Sequence, residues 1–257
     1  MTKFFFLTFS LLVCSWNQQA FAEDFFLVEA SARSQPQATN LVGTLAHDGL
    51  LWREQGKEKV PASPLFGYYR LGTRFGGSPS LAGFLQIAPI APVVFEIQRG
   101  FTQRFSRPAG FDCDQVQCFG QIQRTDYSLR LAAAYENFIL IESLLWRELE
   151  TEANSQKIFI ELENMLASPG VRRFFQNTSL LAYRLPEDRL LGFRLDSGIL
   201  INESQNFNAA YLVYRQPWQE FQISFGAGQF RASNSNLDGF SLILSMSRKW
   251  GDSLSLF

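Results

Sequence analysis

Period-two alternation of apolar and polar residues, sustained in segment after segment, constrains this chain more than any other feature. A strand sends successive side chains to opposite faces, so such alternation builds a sheet with one apolar and one polar side. The clearest case runs from Gly120 to Tyr135. Tyr127, Leu129, Leu131, Ala133 and Tyr135 form an apolar row with an aromatic at each end, while Asp126, Ser128, Arg130, Ala132 and Ala134 form the row opposite. Earlier in the chain, Tyr69, Leu71 and Phe75 alternate with Tyr68, Arg70, Gly72 and Arg74, and Phe95, Ile97 and Phe101 alternate with Glu96, Gln98, Gly100 and Arg104. Later, Phe193, Leu195 and Ile199 oppose Gly192, Arg194, Asp196 and Gly198, and Phe240, Leu242, Leu244 and Met246 oppose Ser241, Ser245 and Ser247.

Two architectures use such strands: a soluble sandwich, with the aromatics as its core, and a membrane barrel, with the apolar rows facing lipid. The chain has 26 Phe among 257 residues, yet its mean hydropathy is close to zero. No stretch after residue 22 approaches the ~20 consecutive apolar residues of a membrane-spanning helix. The polar rows are rich in Gly, Ala and Ser with isolated charges, which suits a crowded lumen better than a face turned to bulk water. Tyr127, Tyr135, Trp146, Trp218 and Trp250 lie near strand ends, where interfacial aromatic girdles form. The pattern therefore specifies an all-β fold, a transmembrane antiparallel up-and-down β-barrel. A net charge of −1 argues against nucleic acid and against a polybasic surface binder.

Strands are expected near 25–33, 41–54, 64–76, 80–88, 92–105, 119–135, 138–149, 171–185, 188–202, 206–215, 219–231 and 238–250. That is about twelve, an even number, which puts the N and C termini together in the periplasm. Short turns at 55–63, 89–91, 136–137, 186–187 and 216–218 would face the periplasm, and the longer connections, including 106–118 and 150–170, would face outward. Segment 150–170 is ambiguous. Ile158, Leu162, Met165 and Leu166 fall near helical spacing ahead of Pro169-Gly170, whereas Ile158, Ile160 and Leu162 also alternate. A short helix or a hairpin in an external loop is the favoured reading. A further strand here would move the count, and ten or fourteen strands stay open.

The N-terminal residues have the layout of a secretory signal: Lys3, the apolar run Phe4 to Val13, and the small-x-small site Ala20-Phe21-Ala22 before Glu23-Asp24. Cleavage is expected after Ala22, dividing the chain into a signal peptide, 1–22, and a barrel domain, 23–257. The last residues read Lys249-Trp250-Gly251-Asp252-Ser253-Leu254-Ser255-Leu256-Phe257. With the cleavable signal and the repeated alternating segments, this end resembles the Gram-negative outer-membrane β-barrel class. In that class a C-terminal assembly signal carries a Gly, alternating hydrophobics and a final Phe, here matched by Gly251, Leu254, Leu256 and Phe257. Ser253 and Ser255 depart from it, standing where the class has apolar residues in register with Phe257. The resemblance implies an outer-membrane location, contact with outer-membrane lipids and recognition by the barrel-assembly machinery during biogenesis.

Cys113 and Cys118 lie in the polar segment Phe-Asp-Cys-Asp-Gln-Val-Gln-Cys. In an oxidising compartment they read as a disulfide closing a small loop. A metal site is the competing idea, but there is no second cysteine pair and the sole histidine is His47, so neither metal nor cofactor is expected. Hydrolytic barrels pair His with Ser, Asp or Glu, and no serine lies within a few residues of His47. The polar rows bring Arg70, Arg74, Arg130 and Arg194 against Glu96, Asp126 and Asp196 as lumen-lining candidates. Opposed charges of this kind make either a selective pore for a small solute or an internal salt-bridge network that fills a narrow barrel. A non-enzymatic narrow channel or structural membrane protein is the favoured function. The alternatives are a lipid- or peptide-hydrolysing enzyme using His47 and a binding or adhesion protein displaying the loops 106–118 and 150–170.

Overall fold

The computed structural model describes residues 22–34, 37–53, 66–76, 80–104, 120–151, 159–161, 166–168, 172–201, 205–233 and 238–251. The signal segment through residue 21, Cys113, Cys118, Leu254, Leu256 and Phe257 lie outside these residues. The alternating segments become β1 (Ala22–Ser34), β2 (Gln37–Arg53), β3 (Phe66–Gly76), β4 (Ser80–Ile90), β5 (Val93–Arg104), β6 (Gly120–Tyr135) and β7 (Phe138–Thr151). After the short β8 (Phe159–Glu161) and β9 (Leu166–Ser168) come β10 (Arg172–Arg184), β11 (Leu190–Leu200), β12 (Asn206–Trp218), β13 (Phe221–Ala232) and β14 (Gly239–Trp250).

Twelve strands, all but β8 and β9, pair antiparallel with their neighbours along the chain, and β1 pairs with β14 to close the ring. The seam runs from Phe26↔Trp250 to Arg33↔Ile243, and the Leu242 amide donates to Ser34 Oγ at 2.8 Å. The barrel is therefore up-and-down, as the alternation requires. Within 150–170, β8 and β9 pair with each other, giving a hairpin outside the barrel sheet, and the strand count stays at twelve.

The turns at one end are short. Residues 91–92 join β4 to β5, 136–137 join β6 to β7, and 219–220 join β12 to β13. Glu136 and Gln219 take φ of 53° and 55°, the left-handed geometry that lets a tight hairpin follow strand twist. The β12–β13 turn at 219–220 falls just beyond the expected 216–218. Pro217 reads as a strand breaker, but it pairs with Gln222 in the second-last position before the hairpin turn, where a strand tolerates proline.

Register decides which row faces out. The outer face carries exposed Leu45, Leu71, Phe95, Leu181, Phe193, Leu212 and Leu242, with Tyr127, Tyr135, Trp146, Trp218 and Trp250 among the exposed aromatics. A soluble monomer does not present an apolar surface this continuous, so the belt is a lipid-facing surface. Among the described residues no helix is long and apolar enough to cross a membrane. The inner face packs large side chains against small ones. Phe174, Phe207 and Phe230 stack in a ladder, with centroids 6.1 and 5.9 Å apart, and the Phe207 ring lies over Gly198. Gly228 lies opposite Tyr211, and a Cβ there would come within 1.8 Å of the Ala210 carbonyl oxygen. Gly228 thus permits a close strand approach that any side chain would break.

Within the belt, Glu142 breaks the pattern. It pairs with Leu131 and Ser179, on the lipid side and between the aromatic rows. A carboxyl there is costly in hydrocarbon, so Glu142→Leu is expected to stabilise the barrel by roughly 1 kcal/mol. Urea unfolding from lipid vesicles reads this as a higher midpoint. An unchanged or lower midpoint would remove Glu142 from the lipid face.

Candidate functional site: the charged lumen

Inward-facing charges concentrate on the wall from β2 to β7. Asp48 on β2 accepts two hydrogen bonds from Arg70 on β3, from Nε at 2.6 Å and Nη2 at 2.8 Å. Arg70 also stacks over the Phe25 ring, 4.6 Å from its centroid. Arg74, two pleat repeats further along β3, reaches across β4 to Glu96 on β5, with Nη1–Oε1 at 2.6 Å and Nη2–Oε2 at 2.9 Å. The small residues Ala82 and Gly100, in register beside Arg74, leave room for that reach, and the guanidinium lies 4.3 Å from the centroid of Phe84. Arg74 also donates to Gln98, and Gln86 donates to the second Glu96 oxygen.

The network continues into β6 and β7. Asp126 accepts from Arg124 Nε at 2.6 Å and from Arg147 Nε at 3.0 Å, so one carboxylate lies between two guanidiniums. On β10 and β11 a separate group joins the Thr178 hydroxyl to Asp196 at 2.8 Å and Arg194 Nε to the same carboxylate oxygen at 2.9 Å. The other half of the wall is different. From β10 to β14 the buried cluster of Phe174, Leu200, Phe207, Ala209, Tyr211, Phe230 and Ala232 lines the inside. Tyr211 is tied there by its contact with Ser241 Oγ at 3.3 Å. The β10–β14 half is the more aromatic one, but it too carries charge, in Asp196, Arg194 and the buried Arg172.

Arg70, Arg74, Glu96, Asp126, Arg130, Arg194 and Asp196 lie on the rows opposite the exposed apolar ones. Arg70, Arg74, Glu96, Asp126, Arg194 and Asp196 are drawn into ion pairs. Arg130 is solvent-exposed and, among the described residues, has no ion-pair partner. Asp48, Arg124 and Arg147 belong to the same network and were not singled out by sequence. Asp48 follows His47 directly and draws attention only as its neighbour. Arg147 sits in a strand whose inner row is itself apolar, with Ile139, Ile141, Leu145 and Leu149, so period two gives no contrast there.

His47 points the other way. Its register partners are Asp24 and Leu71 on the outer face, and its Nδ1 lies 2.7 Å from Asp24 Oδ1. The adjacent Asp48 faces the lumen, so the His-Asp dipeptide is split between the two sides of the wall. A recess opens on the inner surface between β6, β7 and β10, lined by Ser128, Arg130, Ser143, Leu145, Gln176 and Thr178.

No family model matches the chain, and no curated protein matches it. Among solved structures, it is similar to in-vitro folded OmpT, an outer membrane protein of Vibrio cholerae, at 6% identity and a TM-score of 0.45, covering 92% of this chain and 99% of that one. It is also similar to an anion-selective porin from Comamonas acidovorans at 6% identity and a TM-score of 0.41, covering 90% and 100%. A third is the beta domain of the Bordetella autotransporter BrkA, at 10% identity and a TM-score of 0.39, covering 88% and 98%.

The network makes a stability prediction. Asp126 and Arg147 are both buried, at 6% and 5% exposure, so removing the carboxylate takes a charge partner from a buried cation. Asp126→Ala is expected to cost about 3 kcal/mol. Asp126→Leu combined with Arg147→Met is expected to recover most of that loss, because an apolar pair fills the same volume without a desolvated charge. Urea unfolding of the three proteins checks this. A single substitution costing under about 0.5 kcal/mol, as an exposed pair would, contradicts it.

Proposed function

We propose that the protein is a narrow, water-filled channel in the outer membrane of a Gram-negative bacterium, conducting a small solute through the barrel axis and carrying out no catalysis. The observation that carries this reading is the solvation of the inner wall. The side chains of Arg74, Arg124 and Arg194 stay 30%, 31% and 38% exposed although all three point into the barrel. A lumen filled solidly by its own side chains would leave them no water. The ion pairs brace this wall, which is how a twelve-stranded ring, smaller than the open ~16-stranded porins, keeps its cross-section.

The signal layout and the C-terminal residues support export and insertion into the outer membrane, with outer-membrane lipids around the belt and the assembly machinery as a transient partner. The outward position of His47, hydrogen-bonded to Asp24 rather than facing the charged lumen, favours the channel over a hydrolase.

Planar-bilayer recording on the refolded protein tests the proposal. Discrete conductance steps are expected. Ser143→Trp, placed inside the lumen, should lower unitary conductance, whereas Leu140→Trp, on the lipid face of the same strand, should leave it unchanged. A bilayer that stays silent with correctly folded protein would overturn the channel and leave a structural barrel. His47→Ala should have no effect on the current.

A further inference from the structure

We infer that the inner wall carries a binding subsite for small oxyanions, centred on Arg130 in the recess between β6, β7 and β10. The subsite stands on geometry alone. Its consequence, that the pore favours anions, rests on the channel reading above.

The inner surface is chemically lopsided. In each lumenal pair that meets water, the carboxylate is the more buried partner: Asp48 at 0% against Arg70 at 13%, Glu96 at 12% against Arg74 at 30%. Asp126 stands at 6% against Arg124 at 31%, and Asp196 at 6% against Arg194 at 38%. The acids lie against the wall and the guanidiniums border the open space. These four pairs therefore present a positive face to the lumen, against which Glu29 on β1 stands as an exposed inward carboxylate, and a low-dielectric wall strengthens such a field.

Arg130 adds a cation that makes no ion pair of its own among the described residues, although its charge acts on Glu96. The acids nearest its recess in register are Glu96, beside Ser128, and Asp196, beside Thr178. Each is already engaged, Glu96 by Arg74 and Asp196 by Arg194 and the Thr178 hydroxyl. Register sets Arg130 directly beside Ser143, which in turn lies beside Thr178, with Ser128 two residues before Arg130 on the same face. Neighbouring strands are about 4.8 Å apart, so the guanidinium and the Ser128 and Ser143 hydroxyls can converge on one group. Among the described residues neither hydroxyl has a recorded partner. A planar, permanently charged donor flanked by hydroxyl donors suits the oxygens of a phosphate or carboxylate group. Leu145 closes one side and keeps the recess from being polar all round.

The test uses the full mature protein, refolded in detergent, with inorganic phosphate as the probe in isothermal titration calorimetry. Arg130→Gln removes the charge. Arg99→Gln, on the outer face, is the control. Because Arg130 makes no ion pair among the described residues, Arg130→Gln should keep the heat-dependent gel shift of a folded barrel. Wild type and Arg99→Gln are expected to bind phosphate, and Arg130→Gln at least tenfold more weakly. Wild type that does not bind, or Arg130→Gln that binds as well, overturns the subsite. In planar bilayers under a KCl gradient, the reversal potential should favour chloride in wild type and move toward zero in Arg130→Gln. Phosphate binding with a silent bilayer would overturn the channel and support the subsite. A conducting pore without phosphate binding or chloride preference would do the reverse.

Discussion

The pairing of β1 with β14 is the constraint on which the rest of the structure depends. In hydrocarbon no water can satisfy an open strand edge, and each unpaired amide or carbonyl costs several kcal/mol. Closing the ring removes both edges at once. It also fixes what the two faces of every strand must be, since a closed sheet has one outside and one inside. A one-residue slip anywhere in the seam would turn Phe240, Leu242 and Leu244 inward and Ser241, Ser245 and Ser247 into lipid. The hydrophobic alternation and the hydrogen-bond register therefore enforce each other.

Closure with twelve strands creates a second problem, a lumen too wide to fill with one layer of small residues and too narrow to ignore. The wall answers in two ways. On β10 to β14, flat aromatic rings lie over glycines, as Phe207 does over Gly198, and thicken the wall without crossing the axis. On β2 to β7, arginines reach across strands to buried carboxylates, and Asp48–Arg70, Arg74–Glu96 and Arg147–Asp126 stitch neighbouring or next-nearest strands together. Such pairs are weak contributors to net stability but strong enforcers of shape, because breaking one leaves a charge stranded. The same stitching that holds the shape turns guanidiniums toward the axis, which links barrel architecture to the electrical character of the lumen.

Much of this was readable in the amino-acid order. The strands at 120–135 and 190–200 announce themselves because an apolar row faces a polar one, and the seven charges singled out from alternation lie on the rows opposite the exposed apolar ones. What the order hides follows from two physical causes. Where the inner row is also apolar, as with Ile139, Ile141, Leu145 and Leu149 on β7, contrast disappears and Arg147 looks like a surface charge beside Trp146. Where pairing skips a strand, as Arg74 does over β4 to Glu96, the partner depends on side-chain reach and on the small neighbours Ala82 and Gly100, which period two does not encode.

The central claim is that consecutive residues of one strand meet two solvents, lipid on one side and water on the other. Single cysteines placed along β14 at 242, 243, 244, 245, 246 and 247, in a background with Cys113 and Cys118 replaced by serine, test it in lipid vesicles. Labels at 243, 245 and 247 should react with a membrane-impermeant thiol reagent, while labels at 242, 244 and 246 should be quenched by a nitroxide lipid. Uniform access to the water-soluble reagent, or no alternation with residue number, would contradict the account.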